Sequence, residues 1–492
     1  MSLRLPFFLA IFVAFITLSF AGQVYAVEPA SPDNPDNPPG KRAWGAGNSK
    51  SYLVPALEIT GFEASLNLFD RLVYPDKLRD GRKIYSTNFN TFWNHTFHGD
   101  WVIDRDPFDT NQIGHPYMGT VYQGIARSSG LGYWESFVYT MAGSFMWETA
   151  GENSNPSLND MVATGIGGNF FGEPLFRMAN LLLEGGGGKP PLWRELGAAV
   201  ISPPTGFNRL VFGDRFKPVF PSYDPDYFWR IRIGDNINSH GTGPVPRNVA
   251  NVDFAMSYGL PGKEGYGYSR PFDNFNFEFS AIAHSGNAME NILVRGLLIG
   301  EGYEAGKDLK GVWGLYGSYD YLAPYVFKAS STALSLGTEF RSRLSPGAAL
   351  QGFISGGAGY GAAGIDNGKE QFPRTYKYGT TVQGLVTLGF SLGDLAMVEA
   401  GAREYYVSEL GGTRPRGTEL IGRYSGGLTF RIYGNHGLGF QYLSSTRDGG
   451  DNNKPRRHQT VETYSLLYTY LSDRFFGAIT SHGNEPEPSL LP

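Results

Sequence analysis

The stretch ELIGRYSGGLTFRIY, residues 419–433, alternates apolar side chains with polar or charged ones. Leu420, Tyr424 and Phe430 fall in one set, whereas Arg423 and Arg431 fall in the other. Successive side chains of a β-strand point to opposite faces, so the stretch predicts a strand with one apolar and one polar wall. It is about as long as a tilted strand that crosses a bilayer.

The same alternation recurs along the second half of the chain, in residues 229–233, 275–279, 334–343 and 398–403. Two kinds of protein carry this pattern. A soluble β-sandwich turns its apolar face inward and its polar face to water, whereas an outer-membrane barrel turns apolar residues to lipid and polar residues to the lumen. Alternation by itself is compatible with both.

The N-terminal sequence predicts export. Arg4 precedes an apolar run from Leu5 to Phe20, and Val24 and Ala26 stand where a signal peptidase reads small residues, with cleavage after Ala26. The run is short for a membrane-spanning helix, and no later stretch of the sequence has the uninterrupted apolar length that such a helix needs.

The composition agrees with an exported barrel. The chain has no Cys, which excludes a disulfide framework and a lipid-anchor cysteine. It has 29 Tyr, 35 Phe and 67 Gly with a mean hydropathy of -0.25, as expected where half of every strand is polar and aromatic residues line both membrane interfaces. With a net charge of -5 and no basic domain, no nucleic-acid partner is expected.

These signals predict an α+β protein in which an N-terminal helical unit is followed by an antiparallel transmembrane β-barrel of about 12 strands. The predicted segments are a signal peptide (1–26), a disordered leader (27–54), a helical domain with a connector (55–225), the outer-membrane barrel (226–472) and a polar C-terminal tail (473–492).

Apolar residues at helical spacing predict helices over 55–74, 116–127, 133–148 and 192–200. Ser157 is the predicted cap of a further helix, and Asp160 completes a capping box with it. The small residues between Ala163 and Gly168 predict a close approach of two helices. Pro174 predicts the first turn of one more helix, over 174–183.

The helical region resembles a known bacterial family. The motifs that carry the resemblance are DRDPF (104–108), NQIGHP (111–116), SFMWE (144–148), PSLND (156–160), GG (167–168) and GE (172–173). The sequence over roughly 57–209 is similar to domain of unknown function 3943, DUF3943. The resemblance implies an exported protein whose helical unit precedes a β-rich region, and it implies no chemistry. Its motif residues include Asn111, His115, Pro116, Trp147, Glu148, Asp160, Gly168 and Glu173.

Twelve strands are predicted, near 227–236, 249–258, 273–283, 290–300, 310–319, 332–342, 347–358, 375–390, 395–405, 419–432, 437–446 and 459–470. Tight turns at 344–347, 391–394 and 434–437 alternate with long polar loops, as in barrels with short periplasmic turns. The first half departs from this alternation, because the connection 259–271 is long where a short turn is expected. This departure indicates that one of the early strands predicted above is wrongly assigned.

The sequence contains few motifs that indicate catalysis or cofactor binding. No nucleophile elbow, phosphate loop or dinucleotide fingerprint occurs in its required context, which favours a protein that is not an enzyme and has no cofactor. If the protein is an enzyme, His115 is the candidate general base, with Asp104 or Glu148 beside it. The alternative is a buried structural network around the helices.

A metal site is considered at His95, His98 and Asp100, because imidazole and carboxylate close in sequence suit a divalent ion. Such spacing is also common in ordinary loops, so no metal is expected.

The second candidate site is the polar wall of the strands, with Glu278, Glu339, Arg341, Arg343, Glu399, Arg403, Arg423 and Arg431. These residues either pair across the lumen and fill a narrow barrel, or line an ion- or solute-selective path. We favour pairing, because about 12 strands leave only a modest interior.

The sequence therefore predicts an outer-membrane β-barrel of a Gram-negative bacterium, embedded in outer-membrane lipid. Its expected role is structural or that of a channel or transporter. Its helical unit and tail are expected in the periplasm, where the helical unit plugs the barrel or docks a periplasmic protein partner. The alternatives are a membrane-embedded enzyme that modifies envelope lipids and a secreted soluble β protein.

Overall fold

The computed structural model describes residues 50–79, 81–104, 106–185, 190–241, 245–283, 288–365, 376–409, 417–451 and 455–479. The predicted signal peptide, most of the leader and the end of the tail lie outside these residues. The described chain divides into two compact units between Asp224 and Pro225, and each unit has its own core.

The first unit is helical. Its helices are α1 (Leu53–Val73), α2 (Phe89–Phe97), α3 (His115–Ser128), α4 (Tyr133–Met146), α5 (Gly168–Glu184), α6 (Leu192–Ile201) and α7 (Pro203–Val211). The core of the unit packs Ile59, Phe62 and Leu66 of α1 against Tyr122 and Ile125 of α3. The amphipathic pattern predicted four of these helices, whereas α2 and α7 were missed because they are short.

The prediction that Pro174 begins a helix is wrong, since α5 begins at Gly168 and carries Pro174 in its interior. Proline removes a hydrogen bond from a helix interior. Phe170 and Phe176 on either side are 3% and 1% exposed, and their packing outweighs that loss.

Three segments of the first unit are wound as π-helices: π1 (Thr110–Gly114), π2 (Trp147–Gly151) and π3 (Met161–Gly167). π1 runs into α3, π2 continues α4, and π3 joins the turn Leu158–Asp160 to α5. A π-helical turn holds an extra residue relative to an α-helix and is found most often at functional sites.

The second unit is a closed antiparallel barrel. Its strands are β1 (Tyr227–Gly241), β2 (Asn248–Tyr258), β3 (Phe275–Ile282), β4 (Met289–Ala305), β5 (Leu309–Leu322), β6 (Phe327–Ser345), β7 (Ala348–Ile365), β8 (Tyr376–Leu392), β9 (Ala396–Ser408), β10 (Gly417–Tyr433), β11 (His436–Asp451) and β12 (Arg457–Leu471). Each strand pairs with the next, and β12 pairs with β1, for example Leu467 with Gly234. The predicted barrel of about 12 strands is confirmed, and no early strand is misplaced.

The two walls of the barrel follow the alternation in the sequence. On β10, Ile421 and Arg423 are buried while Leu420 and Phe430 on the other face are exposed. Large apolar side chains cover the outside of other strands as well, and Leu336 is 67% exposed. A soluble sandwich is thereby excluded, because one closed barrel turns its apolar face outward.

Short turns lie at one end of the barrel, between β4 and β5, β6 and β7, β8 and β9, and β10 and β11. β1 begins and β12 ends at this same end, because Leu471 pairs with Arg230. The long connection 259–274 is also at this end. It folds over the barrel mouth, where Leu260 and Phe272 are buried. Inward folding explains why its length breaks the expected alternation.

Candidate functional site

A close contact between two glycines positions the main polar cluster of the helical unit. A Cβ added at Gly168 would lie 2.5 Å from the Cα of Gly119, so neither position has room for a side chain. The predicted close approach of helices is confirmed here, between α3 and the π3–α5 helix. The contact brings the first turn of α3, with His115, beside the start of π3.

The cluster contains three ionisable residues. Each of them lies in, or next to, one π-helical segment. His115 follows π1, Glu148 lies in π2, and Asp160 directly precedes π3. All three side chains are buried. One ligand-type atom from each lies within 4.8 Å of the others. The π-helical segments therefore converge, although they are separated in sequence.

The histidine ring is held on both sides. His115 Nδ1 is 3.0 Å from Thr164 Oγ1, and His115 Nε2 is 3.5 Å from Asp160 Oδ2. Asp160 Oδ1 accepts a hydrogen bond from Asn159 Nδ2 at 2.8 Å. The side chains of His115 and Asp160 are thus fixed in a single mutual arrangement.

Ser157 connects the remaining carboxylate to the cluster. Its predicted role as a helix cap is observed, since Ser157 Oγ accepts a hydrogen bond from the Asp160 amide at 3.2 Å. The predicted return bond from Asp160 is wrong. Glu148 Oε2 instead accepts the Ser157 amide hydrogen at 2.7 Å, because π2 places this carboxylate above the turn.

Asp104 forms an outer layer of the same cluster. Its Oδ1 accepts hydrogen bonds from Asn111 Nδ2 at 2.5 Å and from Asn159 Nδ2 at 2.8 Å. Burial, together with nearby Asp104 and Glu148, raises the pKa of Asp160 well above its usual range. Several carboxyl groups therefore share one poorly solvated space, which favours a bound proton or cation.

The structure brings the three candidate catalytic residues His115, Asp104 and Glu148 into one region, but the closest carboxylate to the His115 ring in this set of contacts is Asp160. Asp160 was singled out only as a cap and a family-motif residue. Asn159 and Thr164 were missed altogether, because no local pattern marks a residue that positions another across 49 positions of sequence.

The residues considered for a metal site do not converge. His95 is buried at the end of α2, whereas His98 and Asp100 are exposed. Burial lowers the pKa of His95, while hydrogen bonds to the backbone of Glu148 and Thr149 oppose that change. Among the described residues, the group with convergent ligand atoms is His115, Glu148 and Asp160.

Glu173, another family-motif residue, belongs to a separate network. Arg127 Nε and Arg177 Nε contact its two carboxylate oxygens at 2.8 and 2.9 Å, and Gln123 Nε2 donates at 2.6 Å. The Arg127 guanidinium also lies 4.5 Å from the ring centre of Phe176. A fully buried, paired carboxylate of this kind fixes the packing of α3 against α5.

Charged pairs cross the barrel lumen. Arg230 of β1 contacts Glu399 of β9 at 2.5 Å, and Arg423 of β10 contacts Glu290 of β4 at 2.6 Å. These strands are not neighbours, so each pair crosses part of the lumen, and β4 and β10 lie on opposite walls. Arg403 reaches across in the same way to hydrogen-bond Asn291.

The other predicted lumen residues fall into two groups. Glu339 accepts hydrogen bonds from Asn274 at 2.6 Å and Asn276 at 3.2 Å, Arg341 contacts Asp226 at 2.5 Å, and Glu278 lines an internal cavity. Arg343 and Arg431 lie instead at the short-turn end. There they pair with turn residues Asp308 and Asp394 and are partly exposed.

Both mouths of the lumen are narrowed by folded segments. At the short-turn end, Phe476 is 1% exposed and packs with Phe228 and Met397, while Gln351 donates a hydrogen bond to its carbonyl. At the other end, the loop between β5 and β6 packs Val326 against apolar side chains of several strands. Cavities of 120 and 110 Å³ lie between these ends.

Closure of all twelve strands, an apolar outer wall and a polar lumen together define an outer-membrane β-barrel, here preceded by a helical domain. In the described residues, no helix has both the length and the apolar character needed to cross a bilayer.

The family model "Domain of unknown function (DUF3943)" matches residues 100–204, which confirms the resemblance and includes all three residues of the His115 cluster. No curated protein matches the chain. Solved structures similar to the chain include the NanC porin, at 8% identity over 49% of this chain and 98% of that chain, with a TM-score of 0.27. Others are the toluene transporter TodX of Pseudomonas putida (10% identity, 54% and 93% covered, TM-score 0.21) and the KdgM porin (9% identity, 49% and 98% covered, TM-score 0.20).

Proposed function

We propose that the barrel is a closed membrane anchor that holds the helical unit at the periplasmic face of the outer membrane. The observation that carries this proposal is the set of ion pairs across the lumen between strands that are not neighbours, Arg230–Glu399 and Arg423–Glu290. A diffusion pore needs a continuous aqueous path, whereas these pairs cross the lumen, Arg230–Glu399 near the short-turn end and Arg423–Glu290 closer to the other end.

The closed ends support the same role. The tail segment packs Phe476 into one mouth, and the loop between β5 and β6 packs Val326 against buried residues of several strands at the other end.

Conductance in planar bilayers tests the proposal. We expect the purified, full-length protein to give no steady channel events at neutral pH. Heat-modifiable migration in detergent, with the unboiled form running faster, is the control that shows a folded barrel in the same preparation. A folded preparation with stable porin-sized conductance contradicts the anchor role.

The orientation is the second part of the proposal. Barrels keep short turns in the periplasm. The helical unit is joined to β1 and the tail follows β12 at the short-turn end, so this topology favours a periplasmic location for both. A row of exposed aromatic residues on α2, Phe89, Trp93 and Phe97, would suit a periplasmic protein partner.

Because the chain has no Cys, single introduced cysteines can report the orientation. Gly347→Cys lies in a short turn with open space around its Cβ, and His458→Cys lies at the opposite end of the barrel. We expect a membrane-impermeant maleimide to label His458→Cys on intact cells, and Gly347→Cys only after the outer membrane is permeabilised. The reverse pattern contradicts the orientation.

A gated conduit is the second candidate. It is favoured by the fact that the short-turn mouth is closed by segments outside the strands, residues 259–274 and 472–479, which can in principle withdraw without breaking the barrel. Removal of the tail segment tests this candidate, as set out in the Discussion.

A further inference from the structure

We propose that His115, Glu148 and Asp160 form a binding site for one divalent transition-metal ion, of which Zn²⁺ is the best match. The proposal concerns the helical unit alone and does not depend on whether the lumen is closed. Its basis is the convergence of one imidazole and two carboxylates, all buried, within 4.8 Å of one another.

The separation of the donor atoms suits such an ion. Two donors bound to Zn²⁺ at about 2.1 Å with a tetrahedral angle stand roughly 3.4 Å apart. His115 Nε2 and Asp160 Oδ2 are 3.5 Å apart. A carboxylate oxygen of Glu148 supplies the third donor and lies within 4.8 Å of both atoms.

The surrounding hydrogen bonds orient the three side chains in the way that metal ligands require. A ligating histidine usually bonds its second ring nitrogen to a protein acceptor. His115 Nδ1 has Thr164 Oγ1 at 3.0 Å, which leaves Nε2 directed at Asp160. Asn159 holds the other oxygen of Asp160. The Ser157 amide holds Glu148.

The backbone provides an independent indication. π1, π2 and π3 each adjoin or contain one of the three residues, and π-helical turns are rare and frequently lie at functional sites. An ordinary buried ion pair needs no such distortion at three separate points. Imidazole with carboxylates favours Zn²⁺, Fe²⁺ or Mn²⁺ over Ca²⁺, which prefers more oxygen ligands.

Three protein donors leave the fourth tetrahedral position of such an ion to a water molecule, and the burial of the donors limits access to it. His115, Glu148 and Asp160 are 8%, 7% and 4% exposed. An ion here would bind π1, π2 and π3 together and lock the three segments of the DUF3943 region into one arrangement.

The test uses full-length protein in detergent, stripped with a chelator and then titrated separately with Zn²⁺ and Mn²⁺. We expect one tightly bound ion per chain by mass spectrometry and a rise in the unfolding midpoint of the helical unit followed by Trp fluorescence. Co²⁺ substitution adds a spectroscopic readout of the coordination geometry.

The near-isosteric variants Asp160→Asn and Glu148→Gln should each weaken metal affinity at least about 100-fold, the upper range of effects seen for outer-shell changes. Asp100→Asn and His98→Gln are matched controls in the same unit, and because both residues are exposed they should bind as the unchanged protein does. Far-ultraviolet circular dichroism confirms that each variant is folded.

Two results would overturn the proposal. One is a folded protein that binds neither ion and shows no change in unfolding midpoint. The other is unchanged affinity in folded Asp160→Asn and Glu148→Gln, which would place any bound ion elsewhere. Either result would leave the cluster as an internal network of hydrogen bonds and charges.

Discussion

Arg423 of β10 and Glu290 of β4 are joined by two hydrogen bonds across the lumen, Nη1–Oε1 at 2.6 Å and Nη2–Oε2 at 3.2 Å. Each side chain is 8% exposed. Removing one partner leaves a buried charge uncompensated, so we expect Glu290→Gln to lower the free energy of unfolding by about 3 kcal/mol. Urea unfolding of the barrel in lipid vesicles measures this change.

Two controls distinguish the contribution of the Arg423–Glu290 pair from the general effect of removing a charged side chain. The double variant Glu290→Gln, Arg423→Gln should recover much of the loss, because both buried charges are then gone. The exposed pair Arg456–Asp448 is about half accessible, so Arg456→Gln should cost at most about 1 kcal/mol. If Glu290→Gln and Arg456→Gln lowered the free energy of unfolding equally, a trans-lumen role for Arg423 and Glu290 would be refuted.

Phe476 should hold the tail segment in the barrel mouth. Its ring packs with Phe228 and Met397 and is nearly inaccessible. We expect Phe476→Ala to lower barrel stability by about 3 kcal/mol. Arg474→Ala is the matched control, since Arg474 is exposed in the same segment and should have little effect.

The same segment decides between anchor and gated conduit. If the tail alone seals the short-turn mouth, a chain ending at Leu471 should conduct in planar bilayers while the full chain does not. If the trans-lumen ion pairs close the barrel, as the anchor role requires, the truncated and full chains should both stay silent.

Glu58 should make the helical unit less stable as pH rises. Burial raises the pKa of Glu58 to about 8 from 4.5, although the nearby Asn208 side chain opposes the change. Below pH 4.5 the carboxyl is protonated in both folded and unfolded chains. Between pH 4.5 and about pH 8 only the unfolded chain releases the proton. The free energy of unfolding therefore falls as the pH rises, and the loss is complete above pH 8.

Glu58→Gln replaces the titrating carboxyl with an amide that stays neutral, so the variant should match the unchanged protein at pH 4 and exceed its stability at pH 9 by about 1–3 kcal/mol. Glu135→Gln is the opposite control. Burial favours a higher pKa for Glu135, but hydrogen bonds from Lys50 and Tyr52 outweigh it and lower the pKa, so this carboxylate adds stability at neutral pH. Urea unfolding followed by Trp fluorescence at several pH values measures both. A pH-independent difference for Glu58→Gln would contradict the assignment.

Gly168→Ala should separate α3 from α5. The added methyl group would meet the backbone of Gly119 at 2.5 Å, where nothing flexible can move aside. We expect a loss of about 1–3 kcal/mol, with weaker packing of Thr164 against His115. Gly61→Ala in α1 meets no atom within 4 Å and should instead stabilise by about 0.5–1 kcal/mol, because alanine favours helix. Thermal unfolding of the two variants compares them directly.

The barrel was largely predictable because the side chains within each strand alternate between a face that contacts lipid and a face that lines the lumen. A lipid-facing Leu420 beside a lumen-facing Ile421 and Arg423 is a local pattern, so the strands could be placed without knowing their partners. The inward course of residues 259–274 was not predictable. Its burial depends on distant strands that form the mouth.

The cluster in the helical unit was only half predictable. His115 and Glu148 stood out by residue type, and the small residues around Gly168 indicated close helix packing. Their meeting with Asp160 depends on π1, π2 and π3, and no spacing rule in the sequence marks a π-helical turn. The partner choice of His115 is therefore a property of the folded backbone.

The pairing of β12 with β1 has a consequence for biogenesis. Residues 457–471 must meet residues 227–241 before the sheet has no free edge, so the barrel cannot be completed hairpin by hairpin during export. Until β12 pairs with β1, the sheet exposes two unpaired strand edges and an apolar face to water. Such edges are prone to aggregate. The pairing of β12 with β1 is therefore the step that removes the last two open edges of the sheet.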